Sequence, residues 1–316
     1  MQKILTSSER NAGRTVINSL GSLLPNVLLK ASLKFVAIAV FFCHSALADT
    51  LTIATASNFR PVLEQLSQAF SDQTSSKQSS YKQSSAKQSA YQIKISSGSS
   101  GVLYAQIVQG APFQLFFSAN ESYPEKLVAS GHGEADTLAA YAVGKLILVS
   151  RQEGISPEDM LSSAKRIAIA NPRTAPYGIA AMEVMESLGV MEKSQPKLVV
   201  GNNIAQAWQF FHSGNADVAI VSASLVYSAR WHEQIAGSIP DGKEEQQKFF
   251  NIDLSSHLKQ PVQQSRVAIK PVSLLAQQFL DFIKTPAAQK VILEGGYVLP
   301  ISVDTDIFTT SPMNTN

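Results

Sequence analysis

Nearly continuous apolar runs recur along the chain: LTIATA (51–56), YQIKIS (91–96), QLFFSA (114–119), KLILVS (145–150), RIAIAN (166–171), KLVVGN (197–202), DVAIVSA (217–223) and RVAIK (266–270). Runs of this length, without strict alternation, predict strands covered on both faces. Between them lie segments of helical period. Phe59, Val62, Leu63, Leu66 and Phe70 fall on one face, as do Ile204, Ala207, Trp208 and Phe211. Gly110, Gly189 and Gly214 stand where such helices would end in a left-handed residue. Strands alternating with helices predict an α/β protein with mostly parallel sheets and crossover helices. The last helical stretch, SLLAQQFLDFIKTPAAQKVILEGGYVL, follows RVAIK, and its apolar stripe is expected to pack back on the first lobe. The chain would then leave that lobe near residue 141 and return near 258.

One segment departs from this pattern. SDQTSSKQSSYKQSSAKQSAYQ, residues 71–92, is an approximate repeat of Ser, Gln and Lys with hardly any apolar content, and reads as a solvated loop. Its three lysines, Lys77, Lys82 and Lys87, are too few, and its tyrosines too poorly interleaved, for a nucleic-acid platform. The remaining composition is globular. With 316 residues, 45% of them hydrophobic, the chain is long enough for two lobes.

The first 48 residues read as a leader rather than as part of the fold. Lys30 and Lys34 precede the apolar run FVAIAVFF, and Ala46-Leu47-Ala48 supplies an A-x-A cleavage site before Asp49. The run is too short for a spanning helix of roughly 20 residues. The expectation is a signal peptide over 1–48, cleaved after Ala48, and a periplasmic mature protein. Cleavage would remove five cations and one anion, turning the formal charge from +2 to −2. No basic surface for nucleic acid is indicated. Cys43, the only cysteine, lies in the leader, so the mature chain would have no disulfide, thiol nucleophile or thiolate metal site.

Four corners carry the candidate chemistry, each joining a strand end to a helix start. Ser57 and Asn58 precede FRPVLEQL; Ser99 and Ser100, inside GSSG, precede VLYAQIVQG; Ala175-Pro176-Tyr177-Gly178 precedes IAAMEVMESLG; Asn202-Asn203-Ile204 opens AQAWQFFHSG. In open α/β sheets ligands bind outside the carboxyl ends of strands, where these corners fall. Serine and asparagine are also favoured helix N-caps, so each corner alone admits a purely structural reading. A helix start nonetheless offers unpaired N–H groups and the positive end of a dipole, which suits an anion. Four such corners converging would form a cage of neutral donors. Arg173 is the one cation nearby and is expected to point to water.

ATASNF, GSSGVLYAQIVQGAP with QLFFSA, NPRTAPYG and VAIVSASL, in this order and spacing, resemble the molybdate-binding periplasmic proteins of ABC importers. The resemblance covers residues 49–303 apart from the Ser/Gln/Lys segment. It implies a two-lobed periplasmic-binding-protein fold of type II, each lobe a mostly parallel sheet flanked by helices, with the ligand cleft between them. Lobe I would comprise 49–141 and 258–316, and lobe II 142–257. The resemblance also implies a ligand, molybdate or tungstate, held through Ser57, Asn58, Ser100, Tyr177 and Ile204, with Ser99 and Ser222 as possible additions. Tyr177 and Ile204 would contribute backbone amides. Some members use a tyrosine hydroxyl where this chain has Ser222, and an aspartate where it has Gln114, a position read as structural. No residue would ligate a metal ion directly. A monomer partnered by a membrane permease, without cofactor, is implied.

An enzyme is disfavoured by the residues themselves. GSSGV is not G-x-S-x-G, since Val102 stands at the last position, and His132, His212, His232 and His257 show no spacing that couples one to a serine or metal. No dinucleotide fingerprint follows a strand. Sulfate or another small anion on the same fold is the alternative ligand, because the fold does not fix it.

Overall fold

The computed structural model describes residues 49–79, 91–152, 156–228 and 249–300. The expected leader, His232 and residues 80–90 of the Ser/Gln/Lys segment lie outside the described residues. Two five-stranded sheets organise the rest. The first contains β1 (Asp49–Ala56), β2 (Tyr91–Gly98), β3 (Leu115–Phe117), β4 (Ala139–Gly144) and β10 (Val262–Ala268) in the order β2-β1-β3-β10-β4. The second contains β5 (Leu146–Ser150), β6 (Ile167–Ala170), β7 (Leu198–Gly201), β8 (Val218–Ser222) and β9 (Phe250–Asp253) in the order β7-β6-β8-β5-β9.

The two sheets share one plan. β2, β1 and β3 run parallel, and β10 is antiparallel to both its neighbours. Likewise β7, β6 and β8 run parallel, and β5 opposes β8 and β9. The expected mostly parallel sheets are therefore mixed, each with one inverted strand in the fourth position. That strand comes from the far side of a crossing between sheets. The first crossing falls at Lys145, just past the expected residue 141, and the second lies between Asp253 and Val262.

Helices flank both sheets. α1 (Arg60–Ser79), α2 (Ser100–Val108), α3 (Ser122–Ala129), α8 (Leu274–Ile283) and α9 (Pro286–Glu294) accompany the first, and α4 (Pro157–Ser163), α5 (Pro176–Ser187), α6 (Met191–Ser194) and α7 (Ile204–His212) accompany the second. The anticipated face of α1 is buried, with Phe59, Val62, Leu63, Leu66 and Phe70 packed on Leu51, Ile53 and Phe279. α8 and α9 join the same core, as the apolar stripe of the C-terminal stretch requires. Gly110, Gly189 and Gly214 all have positive φ at helix ends.

The loop expected from residue 71 is instead a continuation of α1 to Ser79. Phe70 anchors it against Phe279 and Phe282, and the Ser71 and Thr74 hydroxyls donate to the carbonyls four residues back. Polar composition alone did not end the helix, because its preceding turns were already fixed by packing. Among the described residues no helix is long and apolar enough to cross a membrane.

Candidate functional site

Four strands, β1 and β2 of the first sheet and β6 and β7 of the second, end at the four corners. Six of the anticipated residues, Ser57, Asn58, Ser99, Ser100, Tyr177 and Ile204, line a single small cavity of about 10 Å³, with Ala56, Gly98, Ala119, Ala175 and Pro176 completing its wall. None of these six exceeds 6% exposure, so the residues around the cavity are buried. Among the described residues no Lys, Arg, His, Asp or Glu lines it. Arg173 is exposed and outside the lining, as expected.

The donors are distributed as follows. Ser57 accepts the Ala205 N–H from α7 at 3.4 Å, a contact between lobes, and keeps its own hydroxyl hydrogen. Ser100 accepts the Ala119 N–H at 3.0 Å and likewise keeps its hydrogen. Ser99 is the N-cap of α2 but makes no capping bond, and its buried Oγ has no partner. Asn203 caps α7, accepting from Gln206 N–H, whereas Ser99 makes no cap bond and lines the cavity.

Backbone amides complete the set. Pro176 occupies the first turn of α5, Gly178 N–H donates to Ala175, and the Tyr177 N–H between them has no preceding helical carbonyl to reach. Ile204 N–H stands in the same position at the start of α7, and Ser100 N–H at the start of α2. The two lobes are bridged nearby by Gly101 N–H donating to Thr174 O at 2.8 Å.

Next to the cavity lies a buried polar cluster that the sequence analysis did not anticipate. Asn58 Nδ2 donates to Gln264 Oε1 (3.0 Å) and to Tyr297 Oη (2.9 Å). Tyr141 Oη also donates to Gln264 Oε1, at 2.8 Å, and Gln264 Nε2 donates to Tyr177 Oη at 3.0 Å. Ser222 is placed here rather than in the cavity wall: its Oγ meets Tyr177 Oη at 3.2 Å and Ser224 Oγ at 2.6 Å. A direct contact from the Ser222 hydroxyl to a ligand is therefore not what this geometry offers, and the Tyr177 hydroxyl is likewise engaged. Burial pushes the phenols of Tyr141, Tyr177 and Tyr297 up from their ordinary value, keeping them neutral. The available signal for this cluster was Gln264 itself, a polar residue in VQQSRVA, an otherwise buried strand. Gln114 is structural, donating to Thr50 O and accepting from Ser273.

Neutral donors thus gather at one cavity between two α/β lobes, an arrangement that suits a small anion. The chain belongs to the bacterial extracellular solute-binding protein family, which it matches over residues 51–298. Within that family it is 33% identical over 275 residues to the molybdate-binding protein ModA of Rhodobacter capsulatus, a match covering 85% of this chain and 96% of that one. The solved periplasmic molybdate-binding protein of Azotobacter vinelandii is 34% identical, with a TM-score of 0.64 over 79% of this chain and 99% of that one. The sulfate-binding protein SubI of Mycobacterium tuberculosis H37Rv, at 15% identity and a TM-score of 0.57 over 81% of this chain and 88% of that one, shares the fold alone.

Proposed function

We propose that the protein captures molybdate, and tungstate as its near-isostere, through uncharged hydrogen-bond donors and delivers it to the membrane permease of an ABC importer. The observation that carries this reading is the donor set: Ser57, Ser99, Ser100, Tyr177 and Ile204, which offer three hydroxyls and the helix-start amides of Ser100, Tyr177 and Ile204, line one cavity with no charged side chain among the described residues. Every group offers a proton, so a fully deprotonated oxyanion is preferred over a protonated one. Six donors to a charged group, at about 1.5–3 kcal/mol each, come to about 9–18 kcal/mol, a range that spans the roughly 12 kcal/mol of a nanomolar site, with the freedom lost on association still to be offset. Asn58 adds a further polar edge, treated below. Export with cleavage after Ala48, a periplasmic location and action as a monomer belong to the same proposal, as do the hinge crossings near Lys145 and between Asp253 and Val262 about which the lobes would close.

Isothermal titration of residues 49–316 with molybdate, tungstate and sulfate in one buffer tests it. Tight one-to-one binding of the first two, with sulfate much weaker, is expected. Sulfate binding as tight as molybdate, or no binding of any of the three, overturns the assignment.

A further inference from the structure

Gln264 is fully buried in the middle of β10, where the register with β4 shifts between Gln264 and Ser265. A bulge of this kind re-aims a side chain, and here the side chain touches a cavity residue of each lobe, Asn58 and Tyr177, together with Tyr141 on β4. Gly144, at the end of β4 and next to the first crossing, makes room for it. A Cβ there would lie 1.9 Å from Tyr177 Oη and 2.5 Å from Gln264 Nε2.

The polarity of this arrangement leaves one atom unmatched. Both protons of Asn58 Nδ2 are directed at Gln264 and Tyr297, and Asn58 Oδ1 is buried without a partner. Asn58 is also a lining residue of the cavity, so the unmatched acceptor belongs to a residue of the proposed anion site. A half-turn of an amide exchanges its oxygen and nitrogen without moving its neighbours. If Asn58 and Gln264 turn together, Gln264 Nε2 donates to Asn58 Oδ1, and Gln264 Oε1 accepts from the Tyr177 hydroxyl. Tyr141 then accepts from Gln264 and turns its single hydroxyl hydrogen to Ser118 O, 3.2 Å away. Tyr297 turns its hydrogen from Asn58 O to Asn58 Oδ1, and Asn58 O keeps the Ser224 hydroxyl. Hydroxyls both donate and accept, so the cluster stays satisfied in either sense. The hydroxyl hydrogens of Tyr141, Tyr177 and Tyr297 re-aim, and the free edge of Asn58 changes from acceptor to donor.

We infer that Gln264 is a positioning residue for anion capture: it turns in concert with Asn58 so that the Asn58 amide presents its N–H edge to the bound oxyanion. This rests on the function proposed above. The change links the site to the crossing strands, because the partner that absorbs the reversed polarity is the phenol of Tyr177, whose backbone amide also borders the cavity.

A double-mutant cycle read by molybdate titration tests the inference. Gln264→Met and Asn58→Ala are each expected to weaken binding about tenfold, the loss of roughly one hydrogen bond to a charged group. The double variant is expected to bind within about threefold of Asn58→Ala alone, because Gln264 acts through Asn58. Costs that multiply overturn the inference. A second measurement uses the unaltered protein. Side-chain amide resonances of Asn58 and Gln264 in ¹⁵N-labelled protein should both shift on adding molybdate, and unchanged resonances in the bound form overturn it even if Gln264→Met does not fold. Absence of molybdate binding by the unaltered protein overturns the functional reading together with this inference. Binding with independent mutational costs overturns this inference alone.

Discussion

Replacing Ser99 with alanine separates a binding role from a capping role. Serine at an N-cap that makes its bond contributes about 0.5–2 kcal/mol to folding, but Ser99 makes none, and its buried Oγ is unpaired. Its loss should therefore leave the unfolding free energy in urea, measured without anion, within about 0.5 kcal/mol of the parent. Binding should suffer far more. One hydrogen bond to a charged ligand is worth about 1.5–3 kcal/mol, or roughly a 10- to 150-fold rise in Kd for molybdate. The adjacent serine provides the contrast. Ser100 accepts the buried Ala119 N–H, so Ser100→Ala strands that donor and should cost about 1–3 kcal/mol of stability as well as affinity. The assays are titration calorimetry and urea unfolding on both variants. A Ser99→Ala protein destabilised by more than about 1 kcal/mol, or binding molybdate within about threefold of the parent, would refute the reasoning.

Further expectations concern closure, the core and pH. A Cβ at Gly101 would lie 2.6 Å from Tyr123 Oη and 2.9 Å from Thr174 O across the cleft. Gly101→Ala should therefore weaken molybdate binding about tenfold through overpacking of the closed form, and small-angle scattering of the loaded variant should give a larger radius than the loaded parent. Phe59 packs on Phe117, Tyr141 and Tyr297 with ring centroids 5.7, 4.5 and 5.5 Å away. Phe59→Ala should cost about 3–5 kcal/mol in urea unfolding, and a loss under about 1 kcal/mol would contradict that packing. Tyr141, Tyr177 and Tyr297 hold folded-state values raised by burial above the unfolded value of about 10. Below that pH both states keep these protons, so the three phenols contribute no pH dependence. Above it the unfolded chain releases them first, and stability should fall by about 1.4 kcal/mol per pH unit for each phenol. Urea midpoints measured between pH 8 and 11.5 check this; a flat profile above pH 10 would mean the phenols titrate normally.

The parallel strands were legible because each is a short apolar run ending in a small or polar residue, so that β1, β2, β6 and β7 and the four corners could be read directly. β4 and β9 were missed. AAYAVG is short and alanine-rich, and FNID carries too little apolar signal to be told from a loop. β10 was seen only in its second half, because Gln263, Gln264 and Ser265 look foreign to a buried strand until their partners in the polar cluster are known. For the same reason Ser222 could be matched to a ligand position by its place in the motif, whereas its orientation toward Tyr177 depends on the opposite lobe. At GSSG the two hydroxyls were visible but not their difference. Which serine accepts Ala119 N–H is decided by the end of β3, a contact made only after folding.

The order β2-β1-β3-β10-β4 also bears on how the chain reaches this state. β4 has β10 as its only strand neighbour in the first sheet, and β10 is made more than a hundred residues later. All five strands of the second sheet are contiguous in sequence, between Leu146 and Asp253. During vectorial appearance of the chain, that sheet has its full complement first, whereas the first sheet stays open at the edge of β3. Domains assemble as units in the order their parts become available. The insertion of β10 is thus the event that joins β3 to β4, closes the first sheet and brings Gln264 to Asn58 and Tyr177, so the polar cluster next to the cavity is completed by nearly the last strand to be made.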